Sequence, residues 1–285
     1  MTADGFSATW CWLIHASAHK GHTAPLKSIP ETWASDPSAL PDEFALPRPF
    51  ERLSVIPWSL IDSAPVPGGR EELRLMRRGA EFSIRLGQNE LMNSRRSGSE
   101  EALATIACER IRDRSEQRIL IGGLGMGFTL RAALAAVGPT ARIVVAELVP
   151  AVVVWARGPM AEIFSESLTD PRVTVCEADV SQLIRSDGPG FDAILLDVDN
   201  GPEGLTRETN DELYGLKGLS KAHSALHPGG ILAVWSSGPN RKFTDCLRRA
   251  GFVTEVIKTR ANGSGGGAWH MIWIATRAGA DRGRR

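Results

Sequence analysis

Ile119-Leu-Ile-Gly-Gly-Leu-Gly-Met-Gly-Phe-Thr129 decides the fold. A short apolar run enters a turn built on Gly122, Gly123, Gly125 and Gly127, and a helical pattern opens at Phe128. Such a strand–turn–helix opens a doubly wound parallel sheet, and its glycines let a ligand approach the backbone where any Cβ would collide. Gly123, Gly125 and Gly127 are therefore the first candidate cofactor-binding residues. A dinucleotide fingerprint would need a further glycine three positions after Gly125, where this chain has Phe128, so a nicotinamide cofactor is disfavoured.

Outward from this turn, buried β-rich runs alternate with helical segments. Strands are expected at 118–122, 141–148, 172–176, 191–198 and 230–236, with helices between them and another over 242–250. Two further apolar runs, 253–259 and 269–276, are joined by a Gly-rich stretch too short for a crossover helix. They should form an antiparallel hairpin. Five βα units closed by a hairpin resemble the class I S-adenosylmethionine-dependent methyltransferase fold, an α/β, Rossmann-like, mostly parallel seven-stranded sheet. Upstream, short runs at 54–61, 72–77 and 81–86 predict a small β-region, and 99–112 reads as a helix with Leu103, Ile106, Ala107 and Ile111 on one face.

In such sheets ligands bind at the carboxyl ends of the strands. Glu147 closes the strand after the glycine turn, where an acid accepts hydrogen bonds from ribose hydroxyls, and Asp179 follows the next strand. Asp197 and Asp199 end the fourth strand and, two apart in extended backbone, project to one side. A carboxylate there can hold an amine nucleophile, take its proton or orient a cation, so both are the candidate catalytic residues. Six acids and one base between Asp197 and Glu212 suggest an acidic rim, part of which, Thr209-Asn-Asp-Glu212, is a helix capping box. Trp235 ends the fifth strand and reads either as a pocket wall or as core. His270 reads either as a general base or as a hydrogen-bonded edge histidine.

The chain has 285 residues, 33 Lys+Arg against 33 Asp+Glu, 42% apolar and 23% charged residues. This composition fits a globular protein, and charge neutrality argues against nucleic acid held by bulk basicity. Four cysteines without C-x-x-C spacing fit a reducing cytoplasm, and no segment has the apolar length of a membrane span. Residues 6–18 imitate a signal peptide but lack a basic start, and His15, His19 and His22 lack matching ligands for a metal. The expected organisation is a flexible or non-core segment 1–50, a β-region 51–95, the α/β domain 96–277 and a basic tail 278–285. No metal is expected, and a homodimer is compatible with this reading.

The motifs resemble the spermidine synthase (polyamine aminopropyltransferase) group between about residues 81 and 276. They are Ile121-Gly-Gly, Thr129-Leu-Arg131, Asp170-Pro-Arg-Val173, Phe191-Asp-Ala-Ile-Leu-Leu-Asp197, Gly201-Pro202 and Leu226-His-Pro-Gly-Gly230. The resemblance implies ribose and adenine contacts for Glu147 and Asp179, and substrate-groove roles for Glu101, Asn200 and Tyr214. Three departures follow. The loop Gly122–Gly127 lacks the group's acid, Ser99-Glu-Glu101 stands where it has Tyr-His-Glu, and Asn200 replaces its second catalytic Asp. The chain also has a single Tyr, Tyr214, beside eight Trp and nine Phe. The expectation is therefore an S-adenosyl-sulfonium-dependent transferase that moves a methyl group from S-adenosylmethionine to a small nucleophile, to which an acidic rim would attract a cation. The alternatives are aminopropyl transfer from decarboxylated S-adenosylmethionine and a non-catalytic nucleoside-binding protein.

Overall fold

The computed structural model describes residues 56–68, 71–186, 188, 190–198, 201–203, 213–263 and 266–279, which lie within one compact unit, Ile56–Arg285. The expectations for residues 1–50, including the histidines there, and for most of the tail fall outside these residues.

Two sheets organise the unit. The small sheet is an antiparallel meander of β1 (Ser59–Pro65), β2 (Glu72–Arg78), β3 (Glu81–Leu86) and β4 (Asn89–Asn93). Helix α1 (Gly98–Arg110) leads from it into β5 (Arg118–Gly122), α2 (Phe128–Ala136), β6 (Arg142–Glu147), α3 (Pro150–Arg157) and α4 (Ala161–Phe164). Next come β7 (Val173–Glu177), α5 (Val180–Arg185), β8 (Phe191–Leu196), a 3-10 turn (Gly201–Glu203), α6 (Leu216–Ala225) and β9 (Leu226–Ser236). Helix α7 (Arg241–Arg249), β10 (Phe252–Arg260) and β11 (Trp269–Arg277) complete the order.

The large sheet has seven strands in the order β10-β11-β9-β8-β5-β6-β7, and β11 runs antiparallel to both of its neighbours. The hairpin and the parallel strands therefore stand as the sequence predicts, with bounds shifted by a few residues. Strand β4 is the element the sequence reading misses, because Asn89-Glu-Leu-Met-Asn93 contains no β-branched or aromatic residue.

Period-2 alternation puts Ile119, Ile121, Ile143, Val145, Ala193 and Leu195 in one core, and Leu120, Ala146, Ile194 and Leu196 in a second core across the sheet. The first core continues into Leu73, Leu75, Phe82, Ile84 and Leu86 of the small sheet, and the indole N–H of Trp155 donates to Asp62 at 2.7 Å. The small sheet is thus packed on the large one and covers the carboxyl edge of its strands. No helix among the described residues is long and apolar enough to cross a membrane.

Candidate active site

A cleft opens between the two sheets. Its floor is Gly123, Gly125, Glu147, Asp179 and Asp197, and its roof is apolar, with Leu73, Ile84, Leu86 and Met92 from the small sheet.

Gly123 has φ +90°, and a Cβ on it would lie 2.5 Å from the Asp197 carbonyl oxygen. Only glycine lets the loop run this close to the end of β8. Gly125 faces Met92, whose sulfur would lie 3.0 Å from an added Cβ. Gly127 does different work: a Cβ there would meet the Phe164 ring at 2.4 Å, so this glycine packs the loop onto α4 rather than lining the cleft.

Glu147 is buried, and both of its oxygens receive backbone donors, Leu124 N at 2.9 Å and Val149 N at 2.8 Å. Burial raises its pKa, against the pull of these backbone hydrogen bonds. The Gly125 and Leu148 N–H groups also favour its charged form, so the carboxylate ties two turns together at the floor of the cleft. Asp179 lines the cleft and caps α5, accepting from Ser181 N at 2.8 Å. Gly123, Gly125, Glu147 and Asp179, the four candidate cofactor residues that line the cleft, are thus brought together on its floor.

Asp197 sits across the glycine loop from Glu147, since β8 and β6 flank β5. The Thr129 hydroxyl donates to its Oδ2 at 2.7 Å. Asp197 keeps part of its surface on the cleft, but the protein around it removes most of its hydration. That desolvation pushes its carboxyl up to about 7, the Glu100 charge adds to the push, and the Thr129 hydrogen bond opposes it. Burial raises Glu100 as well, although Ser99 Oγ donates to its Oε2 at 2.7 Å.

Glu100 was missed in the sequence, where the motif comparison selected Glu101. In the structure Glu101 lies 4.0 Å from Arg131, and it is Glu100 that acts on Asp197. A signal existed: Glu100 precedes Leu103, Ala104 and Ala107 by three, four and seven residues, which puts it on the buried stripe of α1. Asp199 and Asn200 lie outside the described residues. Tyr214 is buried in the second core, edge-on to Phe243 at 5.6 Å, with its hydroxyl 3.5 Å from the Val198 carbonyl. Trp235 is buried in the first core against His270 at 4.7 Å, so its position is that of a core residue. Neither ring lines the cleft.

No protein-family model matches the chain. Over 125 residues it is 34% identical to the polyamine aminopropyltransferases of Mycobacterium tuberculosis and Mycobacterium bovis. That stretch is 42% of this chain, and the chain spans 23% of the length of these curated relatives. Among solved structures it is similar to spermidine synthase from Thermotoga maritima, with a TM-score of 0.61 and 19% identity over 77% of this chain and 73% of that one. A spermidine synthase solved with the transition-state analogue AdoDATO gives a TM-score of 0.60 and 18% identity over 77% and 72%. The spermidine synthase-like resemblance of the motifs therefore extends to the fold.

Proposed function

We propose that the chain is an S-adenosyl-sulfonium-dependent transferase whose reaction is aminopropyl transfer from decarboxylated S-adenosylmethionine to a small amine. The observation that carries this reading is Asp197, a carboxyl poised near neutral pH beside a nucleoside-fitting cradle. The names of the similar proteins described above favour aminopropyl over methyl transfer, which the motif departures had put first.

The donor would supply a carbon made electrophilic by its sulfonium. Gly123, Gly125, Glu147 and Asp179 would hold the nucleoside, so alignment along the cleft does most of the work. Asp197 would hold the attacking amine and accept its proton, a task suited to a carboxyl that titrates close to the working pH. The apolar roof excludes water and strengthens the attraction between Asp197 and a cationic or polarised amine.

Mass analysis of the nucleoside product tests the reading. Incubation with both donors and a panel of diamines should release 5′-methylthioadenosine; S-adenosylhomocysteine instead would restore the methyl reading. Binding of either nucleoside without turnover would leave the non-catalytic one.

A further inference from the structure

Along the carboxyl edge of the large sheet the strand order β8, β5, β6, β7 sets Asp197, the glycine loop, Glu147 and Asp179 in a row. Met92 of the small sheet hangs over the middle of that row. Its sulfur lies 3.0 Å and its methyl carbon 3.7 Å from the point that a Cβ of Gly125 would occupy. Thioether and bare backbone face each other directly.

The small sheet holds Met92 at this place. It pairs with Ile84 of β3, which is fully buried and lines the same cleft. Just beyond it, the Ser94 N–H donates to the Phe82 carbonyl at 2.9 Å and the Phe82 N–H donates to Ser94 Oγ at 2.9 Å, so the end of β4 is clamped to β3. The loop below is equally committed. Gly123 N donates to the Ala146 carbonyl at 2.8 Å, Leu124 N to Glu147 Oε2 at 2.9 Å and Gly127 N to the Leu124 carbonyl at 2.8 Å. Gly125 N supports the Glu147 charge as well.

We propose that Met92 is a specificity-determining residue that admits the decarboxylated donor and rejects S-adenosylmethionine. The proposal rests on the transferase reading above, in which the nucleoside lies over Glu147 and Asp179, so that the chain on its sulfur runs under Met92 toward Asp197. The two donors share nucleoside, sulfonium and amine, and differ by one carboxylate on that chain. Between the Met92 thioether and the glycine loop this carboxylate loses water, while the loop donors named above are already engaged. The charged side chains that line the cleft among the described residues, Glu147, Asp179 and Asp197, are all acids. Desolvation and like charge thus act together against the wrong donor. The decarboxylated chain carries only positive charge, and its methylene groups pack on a polarisable thioether without that cost.

Calorimetric titration of the chain with each donor tests the selection. The wild type should bind decarboxylated S-adenosylmethionine at least about tenfold more tightly than S-adenosylmethionine. Met92→Lys gives the carboxylate a partner and repels the shorter chain's cation, so the ratio of the two affinities should move about tenfold or more toward S-adenosylmethionine. Met92→Ala lets water in beside the carboxylate and should narrow the ratio about threefold, which keeps the test in force if the lysine variant does not fold. Met92→Leu should leave the ratio as it is. 5′-Methylthioadenosine, whose chain is uncharged, should bind all of these proteins within a few-fold of wild type. A wild-type ratio near one or favouring S-adenosylmethionine, a ratio that neither lysine nor alanine moves, or a loss of 5′-methylthioadenosine affinity as large as the change in ratio overturns the proposal. Product analysis separates this failure from that of the transferase reading. A wild type that prefers the decarboxylated donor as expected but releases no 5′-methylthioadenosine with any diamine overturns the transferase reading and leaves the selection by Met92 standing.

Discussion

Glu147 and Asp197 stand on either side of β5, at the ends of β6 and β8, and burial raises both carboxyls. Their partners differ in kind. Glu147 is surrounded by backbone donors on both oxygens, whereas Asp197 has one hydroxyl and a second carboxyl for a neighbour. Fixed backbone dipoles favour the charged form and cannot move away, so the Glu147 end is built to hold a charge still. The like charge of Glu100 disfavours that form, so the Asp197 end suits the proposed exchange of a proton. On the proposed reading, binding and chemistry are separated by one strand.

The sharpest way to break this contrast is Asp197→Asn. It should slow transfer by about a thousandfold, with the affinity for 5′-methylthioadenosine within a few-fold of wild type. The same variant should be more stable than wild type at high pH. A folded pKa of about 7 stands above the usual aspartate value, so the native state holds the proton longer than the unfolded chain. The native state therefore loses stability as pH rises from the unfolded value through 7. Above that window Asp197→Asn should gain about 2 kcal/mol, reduced from the full linkage value because Asp197 still touches the cleft. Thermal unfolding at pH 5 and pH 8 reads the sign, and an equal effect at both would show that Asp197 is no different from an ordinary surface carboxylate.

The two ends were unequally legible in the sequence. The Glu147 end is written in backbone terms: glycines after a strand, an acid at the next strand's end and another after the third, all readable from order and spacing alone. The Asp197 end depends on which way a helix is rotated. A step from Glu101 to Glu100 turns the side chain by about 100°, and the phase of α1 is fixed by the hairpin loop against Gly98, a contact between distant segments. Ring positions were hidden for the same reason. Trp235 and Tyr214 fall on opposite faces of one sheet, each in a core rather than in the cleft, and period-2 alternation along a continuously apolar strand gives no sign of which face is open. Met92 was lost with β4, whose composition does not mark it as a strand.

The glycine loop offers the next largest effect. Gly123→Ala combines a φ of +90° with a Cβ 2.5 Å from backbone oxygen, so the loop must move away from β8. About 3 kcal/mol of strain should appear as a loss of about a hundredfold in nucleoside affinity by calorimetric titration. Gly127→Ala clashes with the Phe164 ring instead, so it should lower the melting temperature and change the affinity of the folded fraction far less. Equal losses of affinity at the two positions would dissolve the distinction between the loop's lining and its packing.

Glu147→Gln probes the quiet end. An amide keeps the shape but must turn its NH2 toward either Leu124 N or Val149 N, leaving one backbone donor unpaired at a cost of about 1–3 kcal/mol. The expected outcome is a lower melting temperature and about tenfold weaker nucleoside binding, with the rate of transfer from bound donor nearly unchanged. A slowed chemical step with intact binding would mean that the two carboxyls share one task.

Thr129→Val should have the smallest effect and the most specific one. Its hydroxyl is the named hydrogen bond that favours ionised Asp197, against the burial and the Glu100 charge that oppose it. Valine keeps the volume and removes the donor, so the Asp197 pKa must rise further, by about one unit for a hydrogen bond to a charged group in a part-exposed site. With Asp197 as the proposed base, transfer should increase with pH through the ionisation, and the midpoint of that increase should move up in Thr129→Val. At pH well above the midpoint the two proteins should then converge in rate. A loss of rate that persists at every pH would instead mean that Thr129 aligns the carboxylate rather than setting its ionisation, and the proton-exchanging end would owe its behaviour to Glu100 and burial alone.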